Sequence, residues 1–376
     1  MPLRKVHFHL VDYNDSWPSI GEEWSRLFAQ CPRPCNVYHP VFLSAAAGLP
    51  AEKKPSHLVL GREAGRLVLG LPVQAVTYPL GIRELRLWGL PGFSHLAPLD
   101  ASPDRQATAA LLQTGRRLGV GLWSGSWAAP DLIQALGSQA KTRSVILLQP
   151  REQEHPVMEL PNQPDKLLPS FPSRNLRAQL PSAWRRAERD GLVLRTVTGN
   201  SDDYTLTEAL ENLFRLHKLR RQSLGKDSDF LVPWLQEFHR QACREAERYP
   251  GCLCFHELLH QGKVIASAYG FRSPGYFASY QSGWDPEYAR YSPMNLVDYR
   301  TLLWLVEQRI PLFCFGGGYR ANDYKHRWAS ARVQDVEFQA GCSTLGRACV
   351  MLRRLRRSTW RPGGAAGASL SLAGQD

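Results

Sequence analysis

The residues whose types and spacing can do chemistry lie in the second half of the chain. His217 is followed by Arg220 and Arg221, so the imidazole and the Arg221 guanidinium share one side of a helix and Arg220 flanks it. A histidine among arginines resists protonation and suits a neutral base near pH 7, while the arginines suit an anionic group. The alternative is a partly buried histidine beside a solvated basic face. Ser292-Pro293 opens a helix well without any ligand, since serine caps and proline fills the first position at no cost in hydrogen bonds. Gly316-Gly317-Gly318 follows a strand and lets backbone approach a ligand, and Lys325 can bring a cation to a carbonyl oxygen or a phosphate. The plainer reading is a flexible strand exit and a surface helix. Tyr280 alternates with Tyr276, as core aromatics do, and Asp285 precedes Pro286 as the cap of a turn does. No G-x-S-x-G or similar nucleophile pattern is present.

These residues need elements to hold them. Residues 205–223 and 231–248 carry apolar side chains at helical spacing, and residues 253–259, 264–271 and 276–283 read as a three-stranded meander with turns at Gly262 and Gly275. A helix over 293–309 and strands over 310–315 and 333–338 follow. The first half has a similar order: helices over 17–30 and 39–47, a hairpin over 57–73 turning at 63–65, a strand over 85–88, a helix over 104–118 capped by Ser102, and a strand over 122–127. Repeated order suggests a duplicated fold. Residues 151–171 hold Pro156, Pro161, Pro164 and Pro169, a composition suited to a connection. A basic helix over 175–190 and a strand over 192–197 open the second half.

Order and motifs together resemble the GNAT acyltransferases, in their CelD/BcsL-like branch, related to the tandem-domain FemAB aminoacyltransferases. The resemblance rests on Phe214-Arg-Leu-His-Lys-Leu-Arg-Arg221, Gly262-Lys263 with Ala266, Tyr280-Gln-Ser-Gly-Trp-Asp-Pro286, Ser292-Pro293, and Phe315-Gly-Gly317 followed by Tyr324-Lys-His-Arg-Trp328. It covers roughly residues 170–340, with a looser match through Asn36-Val-Tyr38 and the hairpin at 57–73. It implies an α/β (α+β) fold of two tandem GNAT-like domains, each a mixed, mainly antiparallel sheet flanked by helices. The expected division is 1–150, a connection over 151–172, an acyltransferase domain over 173–346 and a basic tail over 347–376.

The implied reaction moves an acyl group from acyl-CoA, as co-substrate, to an amine or hydroxyl of a small-molecule or envelope- or polysaccharide-related acceptor, by direct attack on the thioester and with no metal. In it His217 or Asp285 takes the acceptor's proton, Lys325 polarises the carbonyl and Tyr280 protonates the departing thiolate. Arg290, Ser292, Asn295, Gly316 and Gly317 contact the cofactor, and Arg220, Arg221 and Trp284 hold substrate. Met294 stands where relatives usually have glycine, and avoiding positive φ it obstructs a close pyrophosphate loop. Cys314 stands where relatives often have aspartate. The alternatives are FemAB-like transfer from aminoacyl-tRNA and a non-catalytic protein of envelope assembly.

Charge decides less than its sum suggests. The 376 residues carry 46 Lys and Arg against 34 Asp and Glu, a formal +12, yet residues 151–346 hold only +2 and the last 30 residues hold +5. The total therefore does not favour tRNA over acyl-CoA. Residues 347–361 can form a basic helix with Val350, Met351, Leu355 and Trp360 as its apolar side, suited to an anionic membrane surface, to a protein partner or to docking on the protein itself. No apolar run is long enough to span a bilayer and the start lacks a signal-peptide pattern, which puts the chain in the cytoplasm, with the tail suited to the inner membrane face. Eight cysteines in such a chain read as reduced thiols, and neither Cys31-Pro-Arg-Pro-Cys35 nor Cys252-Leu-Cys254 reads as a zinc pair.

Overall fold

A computed structural model describes residues 6–102, 105–114, 118–141, 146–316 and 324–359. The first half runs β1 (His7–Asp12), α1 (Tyr13–Gln30), α2 (Pro40–Ala46), β2 (His57–Glu63), β3 (Arg66–Thr77), β4 (Arg83–Leu87), β5 (Leu99–Asp100), α3 (Gln106–Thr114), β6 (Leu122–Ala128), α4 (Pro130–Lys141) and β7 (Ile146–Glu159). The second runs α5 (Leu167–Ser170), α6 (Arg174–Arg189), β8 (Leu192–Val197), α7 (Leu206–Ser223), α8 (Pro233–Glu245), β9 (Leu253–His260), β10 (Lys263–Ser273), β11 (Tyr276–Trp284), α9 (Pro293–Glu307), β12 (Leu312–Cys314), β13 (Ala331–Gly341) and α10 (Thr344–Thr359). The fold is mixed α/β, mainly antiparallel, with helices packed on the sheet.

Thirteen strands among the described residues form one sheet in the order β1-β2-β3-β4-β6-β13-β7-β12-β11-β10-β9-β8, with β5 pairing to β3. Two of its ladders are parallel, β4 with β6 and β11 with β12. The centre is an exchange. β7, which ends the first half, pairs with β12 of the second, and β13, which ends the second half, pairs with β6 of the first. β7 and β13 pair with each other over Ala331–Val157 to Gly341–Ile146.

Buried aromatic rings tie the same seam. Phe42 stacks on Phe238 at 5.9 Å, Phe93 stacks on Phe271 at 5.4 Å, and Tyr280 leans on Phe93 at 4.9 Å. One apolar core therefore crosses from residues 13–136 to residues 197–271.

Four segments differ from the sequence reading. Residues 151–159 belong to a 14-residue strand, not to a connection. Pro156 is accommodated where the β12 ladder stops at Val157, and its carbonyl accepts the Phe315 N–H at 3.0 Å. β1 and α4 were not read from the sequence, although β1 alternates and α4 is amphipathic. The basic helix begins at Thr344 and divides the side chains assigned to one apolar side: Val350 is fully buried with Ile82 and Leu122, whereas Leu345, Met351, Leu352 and Leu355 are exposed. Trp360 and residues beyond it lie outside the described residues.

All eight cysteines are free thiols and seven are buried. Cys254 lines the core beneath β9, whose neighbour His256 is 1% exposed. Burial pushes the His256 and His239 imidazoles down to about 3, so both are neutral in the fold and take up protons on unfolding. Their folded values lie below the unfolded value near 6.5, so the stability they contribute is complete above that pH and is lost as pH falls towards 3. The unfolding free energy from urea titrations should decline below about pH 6.5, and His256→Gln should remove about 1.4 kcal/mol per pH unit from that slope. An unchanged slope would show that His256 is already charged in the fold.

Candidate functional site

Helix α7 starts with a complete capping box, Thr205 with Glu208, and lays Leu206, Leu210, Leu213, Phe214 and Leu216 into the core. That orientation puts His217 against β11. The helix can come so close because residue 283 is glycine: a Cβ there would stand 2.3 Å from the His217 backbone nitrogen and 2.7 Å from its Cα. The His217 Nδ1 consequently meets the Ser282 carbonyl at 2.8 Å, and its Nε2 meets the Ser228 hydroxyl at 2.8 Å. A carbonyl can only accept, so Nδ1 carries the proton and Nε2 accepts from Ser228. Burial lowers the imidazole's pKa, the Ser282 carbonyl works the other way, and Arg221 adds to the lowering.

Arg221 has a second task. Its guanidinium holds the Asp227 carbonyl, with Nε at 2.9 Å, and so fixes the loop that delivers Ser228. Arg220 lies over the Trp284 ring at 4.9 Å.

β12 pairs with β11 only at Phe277 and Ala278. Past Cys314 the chain turns away through Gly316, whose φ of +73° glycine alone adopts freely and which passes close to the Ser279 carbonyl. Among the described residues no strand pairs with the stretch of β11 beyond it on that side, and a cavity of about 230 Å³ sits there. His217, Arg220, Arg221, Leu224, Ser282, Trp284, Met294, Asn295, Tyr324 and Arg327 line it. Five residues singled out from sequence meet here: His217, Arg220, Arg221, Trp284 and Asn295. Ser228 and Arg327 were missed. Ser228 comes from a loop with no periodic signal; Arg327 stood within a quoted motif but was given no role.

The remaining candidates are placed elsewhere. Tyr280 donates to the Pro91 carbonyl at 2.8 Å and belongs to the aromatic seam. Asp285 pairs with Lys263 at 3.0 Å and caps the turn Pro286–Tyr291, accepting from the Glu287 N–H. Arg290 is exposed, stacked on Tyr291 and donating to its hydroxyl at 2.7 Å. Ser292 does not cap α9: it adopts φ +50° and its side chain makes no cap bond. The left-handed position is therefore Ser292, not Met294, which sits in the first helical turn and contributes its side chain to the cavity wall. Lys325 is buried on the turn Tyr324–Arg327 behind the cavity, close enough for its charge to act on Asp298 and His155. Burial raises the Asp298 carboxyl to about 7, against the pull of Lys325. Gly317 lies outside the described residues.

Residues 174–326 match the family model described as an acetyltransferase (GNAT) domain. No curated protein matches the chain in sequence. Among solved structures it is similar to FemX, with a TM-score of 0.60 at 12% identity over 85% of this chain and 95% of that one. It is also similar to L-PGS from Bacillus licheniformis, at 0.53 and 12% over 89% and 96%. A third is the C-terminal domain of a putative lysylphosphatidylglycerol synthetase from Agrobacterium fabrum, at 0.52 and 12% over 93% and 99%. At such identities the likeness is one of fold.

Gly283→Ala should force α7 off β11, lowering stability by about 1–3 kcal/mol or more in urea unfolding, because the clash is with backbone that cannot rotate away. A variant as stable as the parent would refute this packing. Residues 174–326 are thus similar to a GNAT acetyltransferase domain, within a larger fold similar to that of FemX.

Proposed function

We propose that the protein is an acyltransferase that moves an acyl group from acyl-CoA to an amine or hydroxyl of a small or envelope-related acceptor, in the CelD/BcsL-like manner its motifs resemble. The observation that carries this is the cavity, where His217, Arg220, Arg221, Trp284 and Asn295 converge beside the stretch of β11 that β12 does not reach and the start of α9. The two arginines suit phosphate. At about 230 Å³ the hollow is smaller than the roughly 300–1,000 Å³ of whole-ligand pockets, so it takes only part of the co-substrate.

In this reading the acceptor attacks the thioester carbonyl carbon, the carbon–sulfur bond breaks, and the CoA thiolate leaves. The acceptor's proton passes to His217 Nε2 through the Ser228 hydroxyl, the group already hydrogen-bonded to that nitrogen. Lys325 adds positive charge behind the cavity, where oxyanion character develops. Arg290, Ser292 and Asp285 take structural parts: a stacked turn, a left-handed link and a cap.

A second reading, transfer of an aminoacyl group from charged tRNA, draws on the fold likeness to FemX and to the lysylphosphatidylglycerol synthetases. Thermal shift separates the two. Acetyl-CoA or a longer acyl-CoA should raise the unfolding temperature, Arg220→Ala should weaken that shift, and Arg290→Ala should leave it intact. A salt-sensitive shift with charged tRNA and none with acyl-CoA would sink the first reading; silence with both would leave a binding protein.

With a responsive acceptor, His217→Gln should lower kcat by about 10²–10⁴-fold and abolish the acidic limb of the pH–rate profile. Because the imidazole's pKa is lowered, that limb should lie below pH 6.5 in the parent.

The exposed Leu345, Met351, Leu352 and Leu355, on a helix that also carries Arg347, Arg353 and Arg354, extend the proposal to peripheral docking on an anionic membrane. Among the described residues no helix is long and apolar enough to cross one.

A further inference from the structure

A second cluster of chemically active side chains lies where the exchanged strands meet, and the acyltransferase reading makes no use of it. Cys314 ends β12, His155 lies on β7, Asp335 lies on β13, and His95 comes from the loop between β4 and β5. His95 Nε2 stands 3.3 Å from the Cys314 sulfur, and its Nδ1 stands 2.7 Å from Asp335 Oδ1. The His95 backbone N–H also donates to Asp335 Oδ2 at 2.6 Å. The residue is held at φ +58°, a left-handed conformation that costs a non-glycine residue free energy and persists only where its surroundings impose it.

His155 is the unexplained member. It is 1% exposed; Nε2 comes within 3.2 Å of Asp335 Oδ2, and Nδ1 has no hydrogen-bond partner. A buried ring nitrogen without a partner is costly, and the ring faces a thiol and a second imidazole.

We propose that His95, His155 and Cys314 bind a zinc ion, with Asp335 as the carboxylate that orients His95. One ligand atom from each of the three lies within 4.8 Å of the others. Bonds of about 2.0–2.1 Å to nitrogen and 2.3 Å to sulfur place tetrahedral ligands roughly 3.3–3.6 Å apart, the separation already present between His95 and Cys314. A thiolate with two imidazoles selects zinc over magnesium or calcium, which prefer oxygen. The charges also close: a divalent ion, the Cys314 thiolate and the Asp335 carboxylate sum to zero in a site where Cys314 is 2% and Asp335 0% exposed. Asp335 on the far nitrogen of His95 is the carboxylate–histidine–metal arrangement that fixes a ligand's tautomer. Three protein ligands leave one position for water or another group. A cysteine nucleophile activated by His95 would use the same Cys–His–Asp chain. That reading leaves His155 Nδ1 without a partner and gives a thioester no route to so buried a sulfur.

The ion would join the first-half loop of His95 to strands on both sides of the seam. Nothing in this inference depends on acyl transfer, and its test reads metal, not activity. Full-length protein purified without chelators should carry about one zinc per chain, and Cys314→Ser and His155→Gln should each lose most of it. Stripped protein given cobalt(II) should show a thiolate-to-cobalt charge-transfer band with tetrahedral d–d bands, absent in Cys314→Ser. Asp335→Asn should keep the band but bind about 10–100-fold more weakly. Unfolding curves of each variant in metal-free buffer separate loss of ligand from loss of fold. Zinc-free parent protein with no cobalt band would overturn the proposal. So would a band that survives Cys314→Ser, or rapid alkylation of Cys314 in protein saturated with zinc.

Discussion

Every backbone N–H and C=O inside this sheet must find a partner, and the molecule meets that demand at its centre by exchange. Each half builds a meander that ends in a parallel pair, β4 with β6 and β11 with β12, and so exposes one edge. Each edge is closed by a strand from the other half: β13 covers β6 and β7 covers β12. The aromatic seam, the His95 loop and the short reach of β12 along β11 all follow from where those two strands lie.

β12 is only three residues long, and its shortness makes the cavity. A longer strand would continue the ladder with β11 past Ala278 and fill the groove where Ser282 and Trp284 now face Asn295 and Arg327. Close packing finishes the wall. Without a side chain at Gly283 the α7 backbone rests on β11, and the contact fixes both nitrogens of His217, one on a carbonyl and one on a hydroxyl. Arg221, one helical turn on, anchors the loop that supplies the hydroxyl. A short stretch of α7 therefore sets the tautomer, the environment and the outlet of one imidazole.

Local order was legible in the sequence where apolar spacing is regular, as in α7, α8 and the meander β9–β11, and so was the meeting of His217, Arg220 and Arg221, which needs only helical geometry. Trp284 and Asn295 were reached through motif resemblance. Contacts that depend on long-range pairing were not legible. Nothing near residue 95 announces that its backbone and ring will both bond to residue 335, and the prolines of 151–169 speak for a linker until β12 and β13 are present to make residues 151–159 a strand. Ser292 and Met294 show a finer failure: resemblance located the tight turn within two residues, but which residue takes the left-handed conformation is decided by how the turn Pro286–Tyr291 enters α9.

The exchange also sets an order of events during synthesis. β7 leaves the ribosome about 150 residues before either of its neighbours, β12 and β13, exists. Until then the first half presents two unfinished borders, β6 and β7, that can pair only with chain still to be made or with another molecule. Contacts of such long sequence separation form slowly, so β6 and β7 are the borders most open to pairing with another molecule while the second half is made.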